Sequence, residues 1–178
     1  DFENGHAQSV EQALKLNENY YELIRAGALC NNAEFDPDNE GNILGDPTEG
    51  ALIVLSKQFG ESHDDLEDDF PRLFEQPFDS NRKRMSTVNL IEKENIVFAE
   101  GATDELIPVC TKISDNKVER SITEKDIEAI KQVLENMAAD ALRVLSFAKK
   151  TIKIAQVEDD EDVEFDLTFI GIVGMIDP

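Results

Sequence analysis

The chain has 178 residues, 40% of them apolar, and is therefore long enough to form one domain around a sizeable hydrophobic core. It carries 17 basic and 39 acidic residues, which gives a formal net charge of −22. This charge argues against nucleic acid or an anionic membrane surface as the main partner, because phosphate groups attract the opposite sign. No segment approaches the about 20 consecutive apolar residues that cross a bilayer, so we predict no direct membrane contact.

The start of the sequence and its cysteines indicate the kind of protein and the cellular compartment from which the chain comes. The first residues, DFEN, contain no initiator Met and no signal-peptide pattern, so we expect residues 1–178 to be a single domain excised from a longer protein. Cys30 and Cys110 are the two cysteines, and they form no CxxC motif. This usage indicates a reducing, cytosolic environment.

Helices are predicted in the first third of the chain. Ser9 and Gln12 have the spacing of a capping box, and apolar residues recur at helical intervals over 20–30. A second helix has the stronger end signals, which are an N-cap residue, a proline at the first position, an acid at the third and a terminating glycine. These residues are Asp46, Pro47, Glu49 and Gly60.

The polar segment between these two helices resembles part of a calcium loop. Asp36, Asp38, Glu40 and Gly41 match positions 1, 3, 5 and 6 of the EF-hand pattern, but Pro47 stands at position 12, where a bidentate Glu is required. We therefore predict a turn between short strands instead of a metal site.

The rest of the chain alternates strand and helix signals. Strand-like alternation over 85–90 and a short buried run over 96–99 flank a hairpin turn. A short helix ends near Pro108, and Thr123 with Asp126 begins a longer one. Two further strands are predicted over 142–154 and 165–176. Helices and antiparallel strands in this order predict an α+β fold.

Two acidic runs, 61–69 and 158–166, contain no Lys or Arg. Such runs are most simply solvated loops or element edges that keep a domain soluble. They also leave open an alternative function, in which the chain is a non-enzymatic acidic module that binds calcium or a cationic protein partner.

Three consecutive basic residues, Arg82, Lys83 and Arg84, follow Phe78 closely. An aromatic face can stack on a nucleobase while nearby cations pair with phosphate, although a basic hairpin corner explains the same pattern. The sequence contains no GxxxxGK[ST] loop, GxGxxG or GxSxG motif. The residues alone therefore predict an α+β domain with one candidate anion-binding corner, and no catalytic or metal-ligating residue.

Six motifs that occur in a fixed order allow a more specific prediction of the protein class. They are ALCNNA at 28–33, GDPTEGAL at 45–52, FDSNRKRMS at 78–86, GA at 101–102, ALRVL at 141–145 and GIVGMIDP at 171–178. The set resembles the nucleotide-binding domain of P-type cation-transporting ATPases, and it is most similar to the calcium-pump branch and its bacterial relatives. The resemblance covers residues 28–178.

This resemblance implies an antiparallel sheet flanked by helices and a site for ATP, bound as MgATP, or ADP. Phe78 would stack on adenine, Lys83 would approach the phosphates or line the adenine pocket, and Glu49 would contact the adenine or ribose side. Met85 and Leu145 would supply apolar wall, Gly101 would let the backbone approach the base, and Arg143 would reach toward the phosphates. Each residue also has a simpler interpretation: plain core for Phe78, Met85 and Leu145, a helix cap for Glu49 and a surface ion pair for Arg143.

The sequence departs from the family pattern at two positions. Glu100 stands where the family usually has a pocket Lys before the Gly-Ala pair, and Ser80 stands where an Arg is common. Both changes remove positive charge near a polyanion, so they predict weak nucleotide binding unless Arg82 and Arg84 compensate.

The resemblance also implies what surrounds this domain. The chain lacks the Asp-Lys-Thr-Gly segment that carries the phosphorylated aspartate. We therefore expect it to bind nucleotide without hydrolysing it, as a cytoplasmic domain of an integral membrane pump. Its partner would be the phosphorylation domain of the same parent chain, and 177–178 would lie on the return strand of the hinge. Calcium as the transported ion follows from overall similarity alone.

Overall fold

The computed structural model describes residues 19–39, 41–115, 118–153 and 163–176. Helix α1 spans Asn19–Leu29, α2 spans Pro47–Gln58, α3 spans His63–Asp69, α4 spans Thr103–Leu106 and α5 spans Glu124–Ala139. A single 3₁₀ turn, Ile107–Val109, follows α4. The predicted capping box at Ser9 lies outside the described residues, as do Glu40 of the polar loop and residues 177–178.

A large sheet forms the centre of the domain. Its strands are β3 (Arg72–Asp79), β4 (Arg84–Ile91), β5 (Glu94–Gly101), β6 (Cys110–Asp115), β7 (Val118–Ser121), β8 (Arg143–Ile152) and β9 (Leu167–Met175). The order across these seven strands is β3-β4-β5-β8-β9-β6-β7. Every neighbouring pair is antiparallel except β6 and β9, which run parallel. The α+β fold predicted from the sequence is confirmed, with this one parallel pair added.

A two-stranded ladder of β1 (Glu34–Phe35) and β2 (Ile43–Leu44) precedes α2. The polar segment between these strands is therefore a turn, as its sequence predicts. Asp36 stabilises that turn, because its side chain accepts hydrogen bonds from the Asp38 backbone and the Asn39 amide, each at 2.9 Å.

Helices pack on both faces of the sheet because side chains alternate between the faces along each strand. Phe98 and Phe147 point to one face and join a core cluster that includes Leu29 of α1. Ala99 and Ala148 point to the other face and pack in a cluster with Ile130 of α5. The middle parts of β5 and β8 are thus buried on two sides, which explains the short apolar runs 96–99 and 147–148.

The predicted helix ends of α2 and α5 are confirmed by their hydrogen bonds. Asp46 accepts a bond from the Thr48 N–H at 2.7 Å, and Pro47 occupies the first helical position. At α5, Thr123 and Asp126 form a reciprocal capping box. Each contact satisfies backbone donors that an uncapped helix would leave unpaired.

The first acidic run agrees with the predicted solvated loop or element edge, because its residues Asp64, Asp65, Glu67, Asp68 and Asp69 are exposed, whereas the second run is buried at Glu164. The first forms α3, in which His63 and Leu66 are only 2% and 5% exposed. Residues 158–162 of the second run lie outside the described part. Glu164 in the same run is 4% exposed, and its carboxylate contacts Arg82 and Arg84. Along the described ranges, no helix is long and apolar enough to span a membrane.

Candidate functional site

A cavity of about 530 Å³ opens where the N-terminus of α2 meets the start of β4, the end of β5 and the start of β8. All eight site residues named from the sequence line it: Glu49, Phe78, Lys83, Met85, Glu100, Gly101, Arg143 and Leu145. Four further lining residues were not predicted, namely Asp46, Thr48, Ala102 and Val144. Asp46 and Thr48 flank Pro47 at the start of α2. The sequence predicts a helix cap here, and a cap signal does not predict that its residues line a cavity.

Strand register explains why residues far apart in sequence meet here. Met85 of β4 lies opposite Glu100 of β5, and Glu100 lies opposite Phe147 of β8. Leu145 is two residues before Phe147 and therefore shares its face. Met85 is 2% exposed, so its side chain belongs to the core cluster and to the cavity wall together.

Phe78 is the exposed aromatic of the site. Its side chain is 63% exposed, and it lies in an irregular part of β3 where the register shifts between Gln76 and Asp79. A plain core position is therefore wrong for Phe78. Full burial of a phenylalanine side chain stabilises a protein by about 1.5–3 kcal/mol, and most of this stabilisation is absent for an exposed ring. The ring thus presents a free face at the cavity.

Two cations from different elements line the cavity. Lys83 follows β3 with a left-handed backbone (φ 49°), is 57% exposed and places its Nζ 3.4 Å from Glu105 Oε1. Arg143 begins β8 and donates through Nη1 to Thr48 Oγ1 at 2.7 Å. Among the described residues these are the basic side chains of the lining.

Of the two alternatives that the sequence left open, compensation by Arg82 and Arg84 is not supported by their positions. Both guanidinium groups contact Glu164, with 2.7 Å between Arg84 Nε and Glu164 Oε2. Neither arginine is among the residues that line the cavity. The positive charge of the basic triplet is thus divided, and only Lys83 faces the site.

Three acidic side chains line the cavity, Asp46 and Glu49 from the start of α2 and Glu100 from β5. Hydrogen bonds from the Thr48 side chain and backbone lower the pKa of Asp46, so this carboxylate is ionised at neutral pH. Burial raises the pKa of Glu49, while the Asn32 N–H, 3.1 Å from Glu49 Oε2, opposes that shift. Burial, followed by the charges of Glu49 and Asp46, raises the pKa of Glu100 to about 8. At neutral pH Glu100 is therefore mostly protonated, whereas Asp46 is ionised.

Gly101 is required by a close approach of the neighbouring strand. A Cβ at this position would lie 2.6 Å from the Lys83 carbonyl oxygen and 2.6 Å from Arg84 Cβ. The Lys83 carbonyl also accepts a hydrogen bond from the Ala102 N–H at 3.1 Å. The missing side chain thus lets the Lys83 turn sit against the end of β5, and the approach of a base to this glycine stays a prediction.

Gly101→Ala should lower the free energy of unfolding by about 1–3 kcal/mol, because the added methyl group overpacks against backbone that cannot move aside easily. Urea unfolding measures the change. Gly27→Ala is the matched control: its Cβ would meet Leu52 Cδ2, the end of a flexible side chain, at 3.3 Å. In a helix this control is close to neutral or stabilising. Equal stability of the two variants would contradict the role given to Gly101.

Comparison with known proteins identifies the domain. Residues 19–178 match the family model described as P-type ATPase, cytoplasmic domain N. The chain is 42% identical over 88% of its length to calcium-transporting ATPase 1 of Bacillus cereus, and 41% identical over 88% to calcium-transporting ATPase 1 of Lactococcus lactis. It is 30% identical over 96% to the sodium/potassium exporting P-type ATPase cta3 of Schizosaccharomyces pombe.

The chain spans 17%, 18% and 17% of the length of these three relatives, respectively. The similarity therefore covers one domain of each pump, and the family model matches that domain from α1 to the end of β9. The chain belongs to the P-type ATPase family, as its cytoplasmic domain N.

Proposed function

We propose that this domain binds ATP in the cavity beside Phe78 and presents it to the phosphorylated aspartate of a separate domain in the same parent chain. The parent would be a cation pump, with calcium as the favoured ion because that ion appears in the names of two relatives over 40% identical. The observation that carries the proposal is the meeting of all eight predicted site residues around one cavity with an exposed aromatic at it.

Each side of the cavity suits a different part of the nucleotide. The free face of Phe78 offers a stacking surface for adenine, and Met85 with Leu145 offers an apolar wall to the same ring. Glu49 is an acceptor for an amino or hydroxyl group. Lys83 and Arg143 are the cations that would pair with phosphate oxygens.

Magnesium would arrive with the nucleotide, bound to phosphate oxygens. Its charge would offset part of the repulsion between the phosphates and the carboxylate of Asp46. Among the described residues, no group of three or more His, Cys, Asp or Glu side chains is arranged to hold a metal ion. The domain's own contribution to phosphoryl transfer would therefore be binding and positioning of the nucleotide.

We expect the isolated domain to bind ATP weakly, with a dissociation constant on the order of 1 mM, or about −4 kcal/mol. The reason is electrostatic: two cations line the cavity, and the charge of Asp46 opposes the phosphates at the same site. ADP and AMP should bind within a few-fold of ATP, because stacking of the base supplies most of the free energy.

Phe78→Ala tests the proposal directly. The substitution should weaken ATP and AMP binding by about 5- to 150-fold, since base–aromatic stacking is worth roughly 1–3 kcal/mol. The change in unfolding free energy should stay within about 0.5 kcal/mol, because the ring is exposed. An amide NMR titration with ATP measures affinity and location together, and thermal unfolding measures stability.

Phe165→Ala is the matched control, because Phe165 is also an exposed phenylalanine, at 62%, and does not line the cavity. It should leave nucleotide affinity unchanged. Wild-type affinity in Phe78→Ala would rule out stacking at this position. Amide shifts concentrated near 61–69, with none around Phe78, would favour the acidic-module alternative instead.

A further inference from the structure

Glu100 has a buried carboxyl group, and one of its oxygens lacks a hydrogen-bond partner within the described residues. The residue is 6% exposed, lies between Met85 and Phe147 on the neighbouring strands, and lines the cavity. Within the described residues, its Oε2 has no hydrogen-bond partner. A buried polar atom without a partner is costly and rare in proteins, so a bound ligand is a natural source of the missing bond.

The groups that face Glu100 favour its neutral form. Asp46 and Glu49, from the start of α2, repel a negative charge here, and burial penalises it further. Cys30, buried directly after α1, adds no charge of either sign, because burial raises the pKa of its thiol well above the ordinary value and keeps it neutral. Lys83 and Arg143 line the same cavity, but neither is paired with Glu100. At neutral pH most molecules therefore carry a carboxylic acid here, and an acid can donate a hydrogen bond.

We propose that Glu100 reads the nucleotide base as a neutral carboxylic acid that donates a hydrogen bond to a ring nitrogen, so that ionisation of this residue weakens nucleotide binding. This proposal rests on the proposed function. Adenine presents an amino donor beside a ring-nitrogen acceptor. Glu49 as acceptor and Glu100 as donor form a complementary pair on one side of the cavity.

This role differs in kind from that of a pocket lysine. A lysine donates hydrogen bonds at every working pH and attracts phosphate, whereas Glu100 donates only while it is protonated. If the neutral form alone binds, affinity falls tenfold per pH unit above the pKa of about 8. By linkage, bound nucleotide must raise the pKa of Glu100 in return.

The test compares wild type, Glu100→Gln and Glu100→Met by titration with AMP at pH 7 and pH 9. AMP is the probe because its phosphate, with a pKa of about 6, is ionised at both values. Wild-type affinity should fall about tenfold from pH 7 to pH 9. Glu100→Gln keeps a donor that does not ionise, so its affinity should match wild type at pH 7 within about twofold and stay constant. Glu100→Met lacks the donor, so it should bind several-fold more weakly at both values.

The side-chain carboxyl ¹³C shift of Glu100 gives a second readout. Its midpoint should lie near 8 in the free protein and move upward when AMP binds. Wild-type binding that is equal at both pH values would overturn the proposal, and so would Glu100→Gln that keeps the wild-type pH dependence. Binding by Glu100→Met as tight as wild type would do the same. Failure of wild type and of Glu100→Gln to bind AMP or ATP at pH 7 would overturn the proposed function as well.

Discussion

Glu100→Gln should raise the free energy of unfolding by about 3 kcal/mol at pH 7, because it removes a carboxyl group that must take up a proton to be buried. The pKa of Glu100 is about 8 in the folded domain and 4.5 in its ordinary state. Between these values the unfolded chain has lost the proton that the folded chain retains. The stability of the wild type therefore decreases as pH rises from about 4.5 to about 8, and the decrease ends above that range.

The difference between variant and wild type isolates this one group from the other acidic residues. It should be about 1 kcal/mol at pH 5, about 3 at pH 7 and about 5 at pH 9, with each pH unit inside the range worth about 1.4 kcal/mol. Urea unfolding at the three pH values measures it. A difference that does not change with pH would show that Glu100 is ionised in the folded domain, and its assignment as a hydrogen-bond donor would fail with it.

Local signals explain how much of the fold could be predicted from the sequence. The caps of α2 and α5 rest on contacts within three residues, so Asp46 and Thr123 identify them without knowledge of the rest of the chain. The run 61–69 gave no such signal. Most of its residues are acidic, so the two that the fold buries, His63 and Leu66, form no recognisable apolar pattern in the sequence. The parallel pairing of β6 with β9 depends on contacts more than 50 residues apart, which periodicity does not report.

The candidate site likewise has features that the sequence predicted and features that only the structure shows. The six ordered motifs identified eight of the twelve residues that line the cavity, but they did not identify the protonation or the pairing of these residues. Whether Glu100 carries a charge depends on its burial and on Glu49 and Asp46, which the first turn and cap of α2 bring near it. Whether Arg82 and Arg84 are available depends on Glu164, about 80 residues away in sequence. Both questions depend on long-range contacts.

Glu164→Ala should lower the free energy of unfolding by about 3–5 kcal/mol, the usual cost of removing one partner from a buried ion pair. Glu164 is 4% exposed and joins three groups of the β3–β4 hairpin. Its Oε2 contacts Arg82 and lies 2.7 Å from Arg84 Nε, while its Oε1 accepts from Ser86 Oγ at 3.0 Å. Without the carboxylate, two guanidinium groups and a buried hydroxyl lose their shared partner.

The matched control is Glu105→Ala, which removes an ion pair with Lys83 whose side chains are 57% and 36% exposed. Exposed pairs are worth about 0–1 kcal/mol, so this variant should be nearly as stable as wild type. Glu164→Gln should fall between the two, because the amide keeps a hydrogen-bond acceptor and loses the charge. Urea unfolding of the three variants gives the ranking. If Glu164→Ala were no less stable than Glu105→Ala, the Glu164 carboxylate would not be what joins the β3–β4 hairpin to the segment before β9.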